Sequence, residues 1–349
     1  MRKQISKAIY LLFAIMVIAS ISFLSCKKDK TTPVVTTALA DSIAAATTLM
    51  NNSVEGVAAG QYQRGSKAAL QVTITQVQAI LADATSTQIN INNAIANLSA
   101  AVALFKTKTI VPIAQSNLVA QWTFSEGTGT TVTDASSNHL VGTFMAGHAV
   151  IVGRGPLPTW CPDRYGVANQ ALHFSYGGHI EVPYTSILAP AQMTISLWFQ
   201  VDSLNLGDNY MISEDWWEGY KLNLQTATKP FFTFYNGTNI YDRDWNANGI
   251  TDHNWHHLVV TLTAGIETYY GDGALIYTWT DVAGGIVIQK PQTYVIGQAQ
   301  PNTLVNVLPA DDPSQWGVGY FRGSMDEIRI YNIALTATQV TSIYNAEKP

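Results

Sequence analysis

The stretch Gly323-Ser324-Met325-Asp326-Glu327-Ile328-Arg329-Ile330-Tyr331-Asn332-Ile333-Ala334-Leu335 decides the fold of this chain. Ile328 and Ile330 fall on one face of an extended backbone, and Glu327, Arg329 and Tyr331 fall on the other. A period of two marks a strand with one face in a core. A helix signal follows at once: Thr336 can cap it, Gln339 completes a capping box, and Val340 and Ile343 give it an apolar side. A strand and a small helix that close a β-domain are therefore expected here.

Working outward, three phrases belong with this one: Leu118 to Gly129 with Trp122, Phe124 and Glu126; Met193 to Val201; and Asn254-Trp255-His256-His257 running to Leu262. In this order, with the closing phrase, they resemble the laminin-G-like, concanavalin A-like lectin/glucanase domain of bacterial surface proteins, over residues 117–349. The resemblance implies a mainly β fold, a concanavalin A-like jelly-roll β-sandwich. The residues agree. In Met193–Val201, Met193, Ile195, Leu197, Phe199 and Val201 point one way, and Thr194, Ser196, Trp198 and Gln200 point the other. Further short strands are read at Ala171–Phe174, His179–Val182, Tyr210–Ser213, Tyr220–Gln225, Phe231–Asn236, Thr268–Gly271, Leu275–Trp279, Gly285–Gln289 and Tyr294–Gln298.

The first 25 residues read as an export signal: Arg2, Lys3 and Lys7 precede an apolar run from Ala8 to Leu24. Phe23-Leu24-Ser25-Cys26 resembles a lipobox, which implies lipidation at Cys26 and a chain anchored at the outer membrane or cell surface. An uncleaved signal anchor is the alternative. Residues 26–37 form a polar tether. Cys161 is then the one cysteine left, a buried small residue or half of an intermolecular bridge.

Residues 38–108 switch to helical spacing. Helices are expected near Ala38–Ala58, Ser66–Asp83 and Thr87–Thr107, with Leu70, Ile74, Val77 and Leu81, then Ile91, Ile95, Leu98, Val102 and Phe105, recurring three and four apart. Helix, Gly-x-Tyr break, helix, helix is similar to the three-helix module called FIVAR. It reads as a spacer, or as a second contact for glycan or a partner. Residues 109–116 are the linker.

Composition excludes one large class of partner. The chain has 19 Lys and Arg against 24 Asp and Glu. Without the signal the balance is 16 against 24, a net charge of −8, with no basic patch for nucleic acid. Abundant Trp and Tyr suit either sugar stacking or a β-sandwich core.

Four groups of residues carry candidate chemistry. Thr133-Asp134 to Asn138-His139 resembles the family's Asp-x-Ser-Gly-Asn-Gly turn, which implies a structural calcium held by Asp134, Asn138 and Asp326; the alternative is a turn Asp bonding its own backbone. Asp244-x-Asn246-x-Asn248-Gly249 matches half an EF-hand loop but carries Trp255 at the twelfth position. Tyr241, Asp242, Arg243 and Trp245 in that region suit sugar binding. Glu214-Asp215-Trp216-Trp217-Glu218 sets acids beside tryptophans, yet adjacent Glu214 and Asp215 point to opposite faces of a strand, unlike the Glu-x-Asp-x-Glu of laminarinase-like hydrolases. Trp216 and Trp217 are therefore expected to bind rather than flank a catalytic pair. Long loops at 153–165 and 299–320 add Trp160 and Trp316, with Trp316 a further candidate for ligand contact. Trp255-His256-His257 suits packing, and His173 and His179 have no acidic partner evident in the sequence.

The expected function is carbohydrate binding by a surface lipoprotein, alone or with partner proteins of an uptake complex. A glycoside hydrolase and a protein-binding adhesion module are the alternatives.

Overall fold

The computed structural model describes residues 33–56, 59–149, 151, 155–204, 209–305 and 319–349. The expected signal, Cys26, most of the tether and Trp316 lie outside the described residues. No helix of the described residues is long and apolar enough to cross a membrane.

Three helices come first: α1 (Thr37–Asn52), α2 (Ser66–Ala82) and α3 (Gln88–Lys106). Of the expected stripes, Leu70, Ile74 and Val77 and then Ile91, Leu98 and Phe105 are buried, against Leu39, Ile43 and Met50 of α1, with Leu81, Ile95 and Val102 partly buried. The first helix ends six residues before the expected Ala58, because Ser53 turns extended. Glu55 then swings its carboxylate onto the backbone N–H of Lys67, at 2.6 Å, and supplies the missing acceptor at the start of α2. Tyr62 stacks on Phe105 with ring centroids 4.2 Å apart, so the Gly-x-Tyr break is a core contact.

The rest is a sandwich of two antiparallel sheets of eight strands each. The first sheet contains β1 (Leu118–Trp122), β4 (Thr159–Cys161), β5 (Ala171–Phe174), β7 (Met193–Val201), β12 (His256–Thr263), β13 (Ile266–Gly271), β14 (Ala274–Trp279) and β16 (Gly323–Tyr331). Its order is β14-β13-β12-β7-β16-β5-β4, with β1 also on β16. The second contains β2 (Thr131–Thr133), β3 (Val141–Met145), β6 (His179–Val182), β8 (Asn209–Glu214), β9 (Tyr220–Gln225), β10 (Lys229–Tyr235), β11 (Ile240–Asp244) and β15 (Tyr294–Ile296), in the order β11-β10-β9-β8-β15-β6-β3-β2. The expected strand at Gly285–Gln289 does not form. That segment instead bonds singly to Tyr235 and Glu218 through Val287 N–H and Gln289 N–H.

The closing phrase behaves as read, with one addition. Ile328 and Ile330 enter the core between the sheets. The polar face is buried too. A helix α5 (Ala337–Glu347), started by the expected Thr336–Gln339 capping box, lies over it. Arg329 meets the Glu347 carboxylate at 2.7 and 3.1 Å and Glu327 at 2.8 Å. Arg164, from the long loop, pairs with Asp326 and donates through Nε to the backbone carbonyl of Glu347. Trp198 lies 5.1 Å beneath Arg164 and gives its indole N–H to Glu347 at 3.0 Å. Arg329 and Glu347 are at most 6% exposed as side chains, so each charge depends on its partners.

Residues 109–116 are bonded on both sides. Ile110 N–H donates to Gln61, Val111 N–H to Ser342 Oγ, and Gln339 donates to the carbonyl of Pro112. Arg64 sits 4.3 Å over the ring of Tyr165. The helical module thus rests on α5 and the loop that carries Arg164.

Candidate functional site

The sequence-expected site residues separate into three places. The first is the turn between β8 and β9, residues 215–219. Asp215 and Trp216 both take positive φ, 57° and 49°, which folds the chain sharply at the strand end. Gly219 is required, because a Cβ there would lie 2.2 Å from the carbonyl oxygen of Glu214. The turn holds Trp216 and Trp217 half-buried, edge to face, with centroids 5.8 Å apart. Trp216 donates its indole N–H to the Tyr210 hydroxyl at 3.3 Å, and Trp217 covers the Lys221 ammonium at 4.1 Å. Lys221 is 1% exposed, and it also bonds Asn223 and faces Tyr210 and Phe231.

These tryptophans form one wall of a cleft of about 460 Å³, with Lys290, Gln292 and Gln300 opposite. Asp215 ties the walls together. Its Oδ2 accepts the backbone N–H of Lys290 at 2.6 Å, and its Oδ1 accepts the side-chain amide of Gln292 at 2.7 Å. Glu218 pairs with the Lys290 ammonium at the rim. Burial lifts Asp215 to about 6, against the pull of the Lys290 N–H.

The three carboxylates of this segment have three environments. Glu214 points into the sandwich beside Tyr220 and Tyr294 and is 1% exposed, with the Tyr220 hydroxyl as its polar neighbour. Burial, aided by the charge of Asp215, lifts it to about 8. Asp215 faces the opposite wall, and Glu218 faces solvent and Lys290. A retaining glycosidase needs two carboxyls about 5–5.5 Å apart across one bond, and these three are held by different partners, Glu214 inside the sandwich and Asp215 and Glu218 from the turn.

The second place is the edge strand β11. Here the structure corrects the sequence reading. Trp245 is not a surface aromatic: it is 7% exposed, belongs to the main core, and donates to the carbonyl of Asn248 at 2.9 Å. Its ring lies where a side chain on Gly271 would be, 2.6 Å from an added Cβ. Tyr241 stacks on Phe234 at 5.0 Å, and Asp242 accepts the Thr233 hydroxyl at 2.7 Å. Arg243 bonds Asp281 at 2.7 Å and lies over the rings of Tyr241 and Trp279. These residues close the side of the sandwich and do not line the tryptophan cleft. In the half-EF-hand stretch, Asp244 accepts the backbone N–H of Asn246 as an ordinary turn Asp.

The third place is the turn at Asp134. Its carboxylate accepts the backbone N–H groups of Gln121, Ser136 and Leu140 and the Ser136 hydroxyl, all within 3.0 Å. Asn138 donates to the carbonyl of Val119 at 2.8 Å, and His139 takes the positive φ, 49°, where the family turn has glycine. Four donors fill the carboxylate of Asp134, and Arg164 holds Asp326. As arranged, donors of the protein hold both carboxylates that the resemblance assigned to calcium. Among the described residues no three His, Cys, Asp or Glu side chains gather in a way that would hold a metal.

The histidines also differ from expectation. His173 pairs with Asp202 and His179 with Glu181, so both have acidic partners. His257 packs on Trp198 at 5.0 Å, as expected, and its burial lowers it to about 4.

Sequence reasoning missed the facing wall. Nothing in the polar run at 289–292 ties it to a turn seventy residues away. Lys221 and Asn223 were legible in one respect: they alternate with Leu222 and Leu224, and so share the face that Trp217 covers.

No curated protein matches the chain. Among solved structures, it is similar to domain 4 of AbnA, a GH43 extracellular arabinanase from Geobacillus stearothermophilus, in complex with arabinotriose. Identity is 19%, with 66% of this chain and 98% of that one covered, and the TM-score is 0.49. It is also similar to the binding domain of Paraclostridial Mosquitocidal Protein 1, at 16% identity, 66% and 52% coverage and a TM-score of 0.46. The botulinum neurotoxin serotype D/C binding domain gives 14%, 66%, 52% and 0.46. The chain spans about half the length of these two toxin domains. The family model called Laminin_G_3, of the concanavalin A-like lectin/glucanases superfamily, matches residues 174–341, and the sandwich of this chain has a concanavalin A-like fold.

Proposed function

We propose that this chain is an exported protein, lipid-anchored through Cys26 at the outer membrane or cell surface, that binds a polysaccharide or other glycan without cleaving it. The observation that carries the reading is the cleft between the β8–β9 turn and residues 290–300. Two half-buried tryptophans line it with Gln292 and Gln300, Trp216 held by its bond to Tyr210 and Trp217 packed over Lys221. Tryptophan faces pack on the apolar faces of sugars while amides bond the hydroxyls. Binding without hydrolysis is favoured because Glu214, Asp215 and Glu218 point to three separate environments. The helical module, seated on α5, would hold this domain away from the membrane and offer a face to partner proteins of an uptake complex.

The test is calorimetric titration of the chain from Pro33 onward with neutral and acidic polysaccharides and host glycans, followed by sizing of the glycan. Saturable binding that Trp217→Ala abolishes, with the glycan left intact, is the expected result. Shortened glycan would establish the hydrolase, and no heat with any glycan would leave the adhesion module as the better reading.

A further inference from the structure

We propose that the ligand of the tryptophan cleft is a neutral glycan and that the cleft rejects its uronate, sulfated or sialylated counterparts; this rests on the glycan reading above. Every formal charge along the cleft is already answered within the protein. Lys290 is the cation at its surface, and Glu218 occupies its ammonium. Asp215 spends both oxygens on the Lys290 N–H and the Gln292 amide. Lys221 lies behind the Trp217 ring, 1% exposed and bonded to Asn223, so the indole stands between it and any ligand on the other face. Beside these, the lining offers an incoming molecule two indoles, Leu304, Gln300 and the amide oxygen of Gln292, whose NH2 group is bonded to Asp215. Those groups suit hydroxyls and C–H faces. An anionic sugar would meet two carboxylates, Asp215 and Glu218, and no cation without a partner among the described lining residues. Recognition of a carboxylate or sulfate normally uses an arginine fork or an uncommitted ammonium, and a like charge placed in a cleft penalises the wrong ligand.

The experiment compares backbone-matched pairs by calorimetry: glucan with polyglucuronate, mannan with polymannuronate, and galactan with polygalacturonate, each at low and high salt. A neutral member should bind, with its uronate at least about tenfold weaker at low salt and the gap narrowing at high salt. Glu218→Gln, at the exposed rim, should release Lys290 and raise uronate affinity several-fold relative to that of the neutral member of the pair. Equal or tighter binding of a uronate by the natural chain would overturn the inference and leave the glycan reading standing. Unchanged uronate affinity in Glu218→Gln would overturn it too. Binding of no member of any pair would remove the glycan reading itself.

Discussion

Glu347, two residues from the end of the chain, is the residue whose loss should cost most for its place in the sequence. Its carboxylate accepts from both guanidinium nitrogens of Arg329 and from the indole of Trp198, and it is 2% exposed. In Glu347→Ala, Arg329 keeps only Glu327, while Arg164 keeps Asp326 and the carbonyl of residue 347. Breaking one partner of a buried pair leaves a charge without compensation and costs about 3–5 kcal/mol. For a domain of this size each kcal/mol lowers Tm by about 2–4 °C, so thermal unfolding should move down by about 10 °C. The double variant Arg329→Met with Glu347→Met removes both charges, and Gln121 remains to bond Glu327. Replacing a buried pair by apolar groups is often near neutral, so most of the lost Tm should return. Calorimetric or circular-dichroism melts of the natural chain, Glu347→Ala and the double variant decide it. A drop below about 2 °C in Glu347→Ala, or a double variant no better than the single, would refute the view that this carboxylate holds α5 on the sheet.

Other outcomes follow from the same geometry. Asp215→Ala should open the cleft and weaken glycan binding, whereas Asp215→Asn should retain it, because the Gln292 amide can turn to bond either group; titration of both variants reads this. Asp134→Ala leaves three backbone N–H groups without that acceptor, while the Ser136 hydroxyl keeps the carbonyl of Val119, and should destabilise by about 3 kcal/mol or more; chelator should leave the Tm of the natural chain unchanged, since donors already hold that carboxylate. Glu214 has its pKa raised from 4.5 to about 8, so the folded state holds a proton that the unfolded chain releases. The penalty is absent below pH 4.5, grows as pH rises, and is complete above pH 8, with a ceiling of about 5 kcal/mol. Glu214→Gln should accordingly match the natural chain in Tm at pH 5 and exceed it at pH 9. Trp245→Ala should cost about 3–5 kcal/mol as a core truncation, measured by denaturant unfolding, and should not alter ligand affinity beyond that.

The sequence by itself determined the elements of this protein wherever periodicity is local. β5, β6, β7 and β9 end where alternation ends, the three helices follow their apolar spacing, and Thr336 with Gln339 starts α5. Local pattern suffices there because the side-chain period of a strand or helix is set by the backbone itself. Glu214 and Asp215 do part, but because the chain leaves β8 at Glu214 and Asp215 takes a positive φ in the turn, not by alternation along a strand. Tertiary structure alone decided the rest. Trp245 and Tyr241 read as surface aromatics, but whether an aromatic stacks on sugar or on Phe234 depends on which strands lie beside it. Asp326 read as a calcium ligand until Arg164, from a loop more than 150 residues earlier, was brought against it. Periodicity put one face of β16 in a core, and a helix laid over the other drew five charges, Arg164, Asp326, Glu327, Arg329 and Glu347, into a network. The cleft exists only because Asp215 meets residues 290 and 292. Such pairings are distant along the chain, and their energies arise from burial and mutual charge, which no window of sequence contains.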